Sequence, residues 1–227
     1  MTDGREELLA RTVRSVVWDG NLSGPIHRWF LHDDSGDEIL RARLANRWPR
    51  LNQLNDGDSP RRGFDGAITH AWSWLAQVDD IDFVFHLEDD FLLNRPVDLR
   101  AMAEVLTARP YLAQLALRRQ PWNDAERAAG GIVEQHPGDY AQMTDGQHTW
   151  LEHRRFFTTN PSLYRRELCA AGWPAGAESE GRFGLGLLRD GLPWGVPGPD
   201  IRFGFWGSRQ SGEWVEHIGV QRAGVGY

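Results

Sequence analysis

Glu88, Asp89 and Asp90 stand side by side in the stretch DIDFVFHLEDDFLL, residues 80–93, directly after the apolar run 81–87. Three adjacent carboxylates repel one another, and in a dry setting they need a positive partner. Two readings fit such a cluster at a strand end. Hard divalent cations such as Mg2+ and Mn2+ take carboxylate oxygens, and Mg2+ usually shares its shell with substrate phosphates. The other reading is an acidic turn, solvated or capping the next helix. Two further acids, Glu178 and Glu180 in GAESEGRFG, have the chemistry of a general base or of solvated loop residues. His217 in EHIGVQR has the chemistry of a metal ligand or of a structural strand histidine.

The chain contains no lysine, so all 25 basic residues are arginine. Codon bias is reason enough for this, but the exclusion it brings stands: no Schiff-base lysine, no phosphate-loop lysine and no kinase-type strand lysine. Anion binding therefore falls to arginine, backbone N–H groups or a metal. Arg62, beside Gly63 at the start of a helical stretch, is placed to bind a phosphate with the help of free N–H groups. The pairs Arg118–Arg119, Arg154–Arg155 and Arg165–Arg166 read as solvated faces or ion-pair partners. Most of the eleven tryptophans read as core, with Trp122 equally suited to stacking on a sugar.

These groups need a frame. Apolar spacing predicts helices over 5–17, 37–47, 64–77 and about 98–108. Strands are expected in PIHRWFL and over 81–87 and 111–117, with a loop at 55–63. Strands alternating with helices imply a mostly parallel sheet with helices on both faces. Ligands in such sheets sit beyond the carboxyl ends of the strands, where the three acids lie. After residue 120 the pattern weakens into hairpins and loops, with a Gly- and Pro-rich loop system at 172–200.

The chain has 227 residues and a net charge of −7, which argues against duplex DNA as a partner. The single cysteine, Cys169, excludes an internal disulfide and suits a reducing compartment. No run approaches the ~20 apolar residues of a membrane span, and the first ten residues are polar and acidic, unlike a signal peptide. A soluble, cytoplasmic protein is expected.

The sequence resembles the nucleotide-sugar glycosyltransferases of the A-type fold, in particular the family-2-like enzymes of bacteria and phages. Five pieces in order carry this: RRGFDGAITHAW resembles the donor-binding loop and helix, HLEDDFLL the Asp-x-Asp motif, FFTTNPSLYRR the segment leading to the acceptor side, GAESEGRFG the catalytic acid region, and EHIGVQR the C-terminal histidine motif. The resemblance implies one domain over 1–227, with a nucleotide-sugar-binding half to about residue 118 and an acceptor half after it. It implies Asp90 and His217 as ligands of Mn2+ or Mg2+. It implies Thr2, Asp3, Arg5, Arg62, Gly63, Ala67, Glu88, Asp89 and Arg222 as donor contacts. Glu180 would be the base, with Glu178 as runner-up. A nucleoside-diphosphate sugar would give its sugar, with inversion, to an unidentified hydroxyl acceptor. At the amino terminus TDGREELLARTVRSV resembles the turn and helix after the family's first strand; either the start codon is misassigned or the sheet lacks that strand. A glycoside hydrolase pairing Glu88 or Asp90 with Glu180, and a non-catalytic sugar- or nucleotide-binding protein, are the alternatives.

Overall fold

The computed structural model describes residues 1–55 and 59–219. Helix α1 (Glu6–Val13) runs on into a π-helical turn (Arg14–Trp18). There follow β1 (Leu22–Ser23), β2 (Trp29–Leu31), α2 (Glu38–Arg47), β3 (Leu51–Gln53) and α3 (Gly63–Leu75). Next come β4 (Phe83–His86), β5 (Phe91–Leu93), β6 (Val97–Asp98), α4 (Leu99–Ala108) and β7 (Leu112–Ala116). The second half holds α5 (Asp124–Ala129), α6 (Ile132–Gln135), β8 (Ala141–Thr144), β9 (Thr149–His153), β10 (Ser162–Arg165), α7 (Ser179–Asp190), β11 (Arg202–Trp206) and β12 (Val215–His217).

The protein is α/β, with a mixed six-stranded sheet in the order β4-β10-β7-β11-β9-β8. Only β7 and β11 pair in parallel; the other four ladders are antiparallel. This corrects the expected mostly parallel sheet. β4 and β7 do run in the same direction, as the strand–helix alternation requires, but β10 returns from the second half and inserts antiparallel between them. At the far edge β8 and β9 form a hairpin. Three two-stranded ladders stand outside this sheet: β2 with β3, β1 with β6, and β12 with β5.

Helices cover both faces, as expected. Strand residues alternate between two apolar layers, since successive side chains point to opposite faces. Leu163 of β10 and Trp206 of β11 pack with Met102, Val105 and Leu106 of α4. Tyr164 and Phe203 pack on the other side with Ile68 and Trp72 of α3 and Phe183 and Leu187 of α7. Asp37 and Asp98 start α2 and α4 by accepting from the N–H groups of Leu40 (3.0 Å) and Arg100 (2.9 Å); such a cap contributes about 1 kcal/mol. Among the described residues no helix is long and apolar enough to cross a membrane.

The arginine pairs are mostly structural. Arg118 pairs with Glu134 and donates to the carbonyls of Ser208 and Arg209, Arg119 pairs with Glu126, and Arg166 donates to the carbonyls of Ile81 and Ala76. Trp72 lies at the centre of an aromatic cluster with Phe157, Tyr164, Trp173 and Phe183. Trp18 is the exception to tryptophan burial, 64% exposed.

Gly184 decides how α7 meets the segment before β10. A Cβ there would lie 2.8 Å from the backbone nitrogen of Phe157, closer than a Cβ approaches any atom not bonded near it. Gly184→Ala is therefore expected to destabilise the protein by about 1–3 kcal/mol, the scale of overpacking in a closed core. Urea denaturation measures it; a midpoint unchanged from wild type would mean that α7 is not seated on Phe157.

Candidate functional site

β4 ends at His86, and the chain turns through Asp89 and Asp90 into β5. β5 then pairs antiparallel with β12, with Phe91 opposite His217. That register brings the end of the described chain onto the acidic turn. The Ile218 N–H donates to the Asp90 carbonyl (2.7 Å), and His217 Nε2 lies 3.3 Å from Asp90 Oδ2. The imidazole sits between two rings, Phe91 at 4.6 Å and Trp122 at 4.4 Å. The Gln120 amide holds the His217 backbone on both sides, accepting from its N–H (2.8 Å) and donating to its carbonyl (2.9 Å). Trp122 thus packs on the histidine. A Cβ added to Gly219 would meet Asp90 Oδ2 at 2.4 Å and His217 Nε2 at 3.0 Å, so this backbone lies tight against both groups.

The positive partner that the chain itself supplies to the acids is Arg5. Its guanidinium bonds Asp90 Oδ2 (2.6 Å) and Asp89 Oδ1, and its Nε faces Asp3 Oδ1 (2.8 Å). The Thr2 hydroxyl donates to Asp89 Oδ2 (2.6 Å), and the Thr12 hydroxyl to the Asp89 carbonyl (2.7 Å). Asp89 and Asp90 are 1% and 4% exposed, so these are charges taken out of water. Burial pushes the Asp90 carboxyl up, but the hydrogen bond from His217 and the charge of Arg5 outweigh it and hold Asp90 below the usual range. At Asp89 burial wins over Thr2 and Arg5, and the carboxyl is raised. Asp90 Oδ1 is buried with no hydrogen-bond partner among the described residues.

Glu180, in the first turn of α7, points its carboxylate at the segment before β10. Glu180 Oε1 accepts from the Thr159 N–H at 2.6 Å. Burial raises the Glu180 carboxyl above its usual range, and the negative charge of Glu88 adds to this. The two acids are thus electrostatic neighbours. Glu88 also lies 3.7 Å from His86 Nε2. Glu178, the runner-up, is exposed and takes a left-handed backbone at the start of α7 (φ 56°).

The expected free N–H groups at the start of α3 are not free. Asp34 accepts from the N–H of Arg62 (2.8 Å) and of Gly63 (2.8 Å), which satisfies the donors that were to meet a phosphate. The Arg62 guanidinium donates to Ser59 Oγ (3.3 Å), and Ala67 is 2% exposed on the inner face of α3. Arg222 lies outside the described residues. The sequence reading missed Asp34, Thr12 and Gln120. Nothing in their spacing marks them, because each acts through a fold contact to a residue distant in sequence.

A divalent metal was expected here on the resemblance. Asp90 and His217 offer one carboxylate and one imidazole at one place, and the buried Asp90 Oδ1 has no hydrogen-bond partner among the described residues; an imidazole beside a carboxylate suits Mn2+ better than Ca2+. Among the described residues no group of three or more His, Cys, Asp or Glu is gathered for a metal. In comparison with known proteins, no family model and no curated protein matches the chain.

Removing Arg5 leaves two buried carboxylates without their guanidinium. Arg5→Met is expected to cost about 3 kcal/mol of stability, the scale of breaking a buried ion pair from one side. Adding Asp89→Asn should recover a large part of the loss, since the amide still accepts from Thr2 without bearing a charge. Chemical denaturation of the single and double variants tests this; equal stability of wild type and Arg5→Met would show that the ion pair carries no weight.

Proposed function

We propose that the protein is a metal-dependent glycosyltransferase of the A-type fold, moving a sugar with inversion from a nucleoside-diphosphate sugar to a hydroxyl acceptor. The observation that supports it most is the meeting of Asp90 and His217, brought to 3.3 Å by the β5–β12 ladder; Glu180, with its carboxyl raised above the ordinary range by burial and by the charge of Glu88, supports the base. The sequence resemblance names these three groups together, and Asp90 lies in the turn that follows the carboxyl end of β4, the end at which α/β sheets bind ligands.

In this reading the Glu180 carboxylate takes the proton of the acceptor hydroxyl as its oxygen attacks the anomeric carbon. The bond from that carbon to the diphosphate breaks with its electron pair leaving on the phosphate oxygen. A raised pKa makes Glu180 a stronger base than a solvated glutamate, provided that the pH keeps it ionised. Asp90 and His217 would hold Mn2+ or Mg2+, which supplies Lewis-acid stabilisation of the departing diphosphate. In this reading Glu88, Asp89, Thr2 and Asp3 would belong to the donor side, and Arg5 would exchange a carboxylate for a phosphate oxygen.

Calorimetric titration with uridine diphosphate and Mn2+ tests the binding half. Each ligand is expected to tighten the other, and Asp90→Asn and His217→Ala should each weaken that coupling by about tenfold or more, the lower end for a lost ligand shell. Nucleotide affinity that ignores Mn2+ would sink the metal reading.

For the chemical half, Glu180→Gln should keep donor binding and lower transfer by ~100-fold or more, the scale of general base catalysis. Because the folded Glu180 pKa is raised, the ionised base is lost as pH falls through that raised value. The acid limb of kcat/KM should therefore lie above the ordinary glutamate range. Wild-type rates in Glu180→Gln with a dead Glu178→Gln would move the base by two residues, and donor binding with no turnover in the wild type would favour a binding protein.

A further inference from the structure

β12 pairs with β5 on one side, and its last residue is also gripped from the other. In an antiparallel ladder, opposed residues alternate between pairs that exchange backbone hydrogen bonds and pairs that do not. The Asn94 N–H donates to the Trp214 carbonyl (2.9 Å) and the Ile218 N–H to the Asp90 carbonyl (2.7 Å), so the bonded pairs fall at residues 214, 216 and 218. The N–H and carbonyl of His217, opposite Phe91, therefore point away from β5. Gln120 meets both of them there. Its side-chain amide accepts from the N–H (2.8 Å) and donates to the carbonyl (2.9 Å). One amide side chain thus does at His217 what a third strand would do.

The residues around Gln120 form a fixed bracket. Arg119 bridges Val215 in parallel, and the Arg118 carbonyl accepts from the Val215 N–H (3.2 Å), so this segment runs along β12. Pro121, with its ring-locked φ, joins Gln120 to Trp122. Glu126 of α5, 4% exposed, accepts from the Trp122 N–H (2.8 Å) and from Arg119 Nη1 (2.8 Å). That buried carboxylate ties both sides of the Gln-Pro-Trp corner to one helix. Trp122, so placed, covers the His217 imidazole at 4.4 Å between ring centroids, and Phe91 stacks on it at 4.6 Å. Backbone and ring are both held, and Nε2 stands 3.3 Å from Asp90 Oδ2. A group kept in its binding geometry beforehand loses less freedom when its partner arrives.

We propose that Gln120 and Trp122 are positioning residues for His217: Gln120 fixes its backbone and Trp122 its ring, which sets Nε2 beside Asp90 before a cation arrives. The role rests on the reading of Asp90 and His217 as a metal pair, while the geometry is testable without it.

The first measurement uses the full chain with no metal and no nucleotide. Gln120→Met removes both hydrogen bonds at nearly constant length. The His217 amide is then expected to exchange about tenfold faster or more, as a released strand end does, with the amides of β7 unchanged. Trp122→Leu should move the NMR signals of the His217 ring protons toward those of a solvated histidine. Unchanged exchange in Gln120→Met, or unchanged ring signals in Trp122→Leu, overturns the proposal. Should Gln120→Met not fold, Gln120→Glu carries the same measurement, since it keeps the acceptor and loses only the donor to the His217 carbonyl. The second measurement is calorimetric titration with Mn2+ in the presence of uridine diphosphate. Each variant should weaken Mn2+ binding by about tenfold, the scale for residues that orient a metal ligand. Combined with His217→Ala, neither should add a further loss, because no imidazole remains to be positioned. Losses that multiply in the double variants give these residues a general structural role and overturn the proposal. Undiminished Mn2+ affinity in His217→Ala alone would sink the metal reading instead, and the exchange and ring signals then still decide whether Gln120 and Trp122 hold the ring.

Discussion

Two neighbouring carboxylates, Asp89 and Asp90, lie almost wholly out of water, and the rest of the site is arranged around making that tolerable. A buried carboxylate is stable only when charge and hydrogen bonds replace its hydration. Here the replacements come from far apart in the sequence: Arg5 and Thr2 from the amino terminus, Thr12 from α1, and His217 from the last described strand. Each of these contacts also fixes an element. Arg5 and Thr12 dock α1 against the turn, and His217 is the end of the ladder that ties β12 to β5. Folding the acids in and placing the helix and the last strand are thus the same event.

Among the described residues, Arg5, Arg61 and the Met1 ammonium bring positive charge to Asp3, Asp89 and Asp90. Low local dielectric makes each of these contacts stronger than at a solvated surface. Arg5 and His217 both engage Asp90 Oδ2, while Oδ1 is buried without a hydrogen-bond partner among the described residues. A chain-borne guanidinium of this kind can hold the fold together with no ligand bound. A site that depended on a metal alone would come apart without it.

Much of this was legible in the sequence where local chemistry decides. The helices over 6–13, 38–47, 63–75 and 99–108 follow the apolar spacing, and β4 and β7 follow the apolar runs before and after them. The acidic turn at the end of β4 and the approach of Asp90 to His217 were also anticipated. What was not legible depends on contacts between distant residues. The strand order could not be read, because β10 carries nothing in SLYR that says it will lie antiparallel between β4 and β7. Nor could the capping of Arg62 and Gly63 by Asp34, since an aspartate in a polar turn looks the same whether it faces water or a helix start. The same holds for Gln120, whose amide meets His217 only after β12 has found β5.

The unexpected strand order is what assembles the two halves of the site. In an antiparallel pair the start of one strand lies beside the end of the other, and Ser162 at the start of β10 is opposite His86 at the end of β4. The residues just before β10, Thr158 and Thr159, are therefore delivered to the carboxyl end of β4. Thr159 is the residue whose N–H holds Glu180, so the general base candidate arrives within the field of Glu88. A parallel β10 would have put its start at the opposite end of β4, and Glu180 with it, a strand's length from the acids. Close seating of α7 through Gly184 on Phe157 completes the placement. The irregular second half of the chain, which carries little periodic signal of its own, thus gains its position from a single reversed strand.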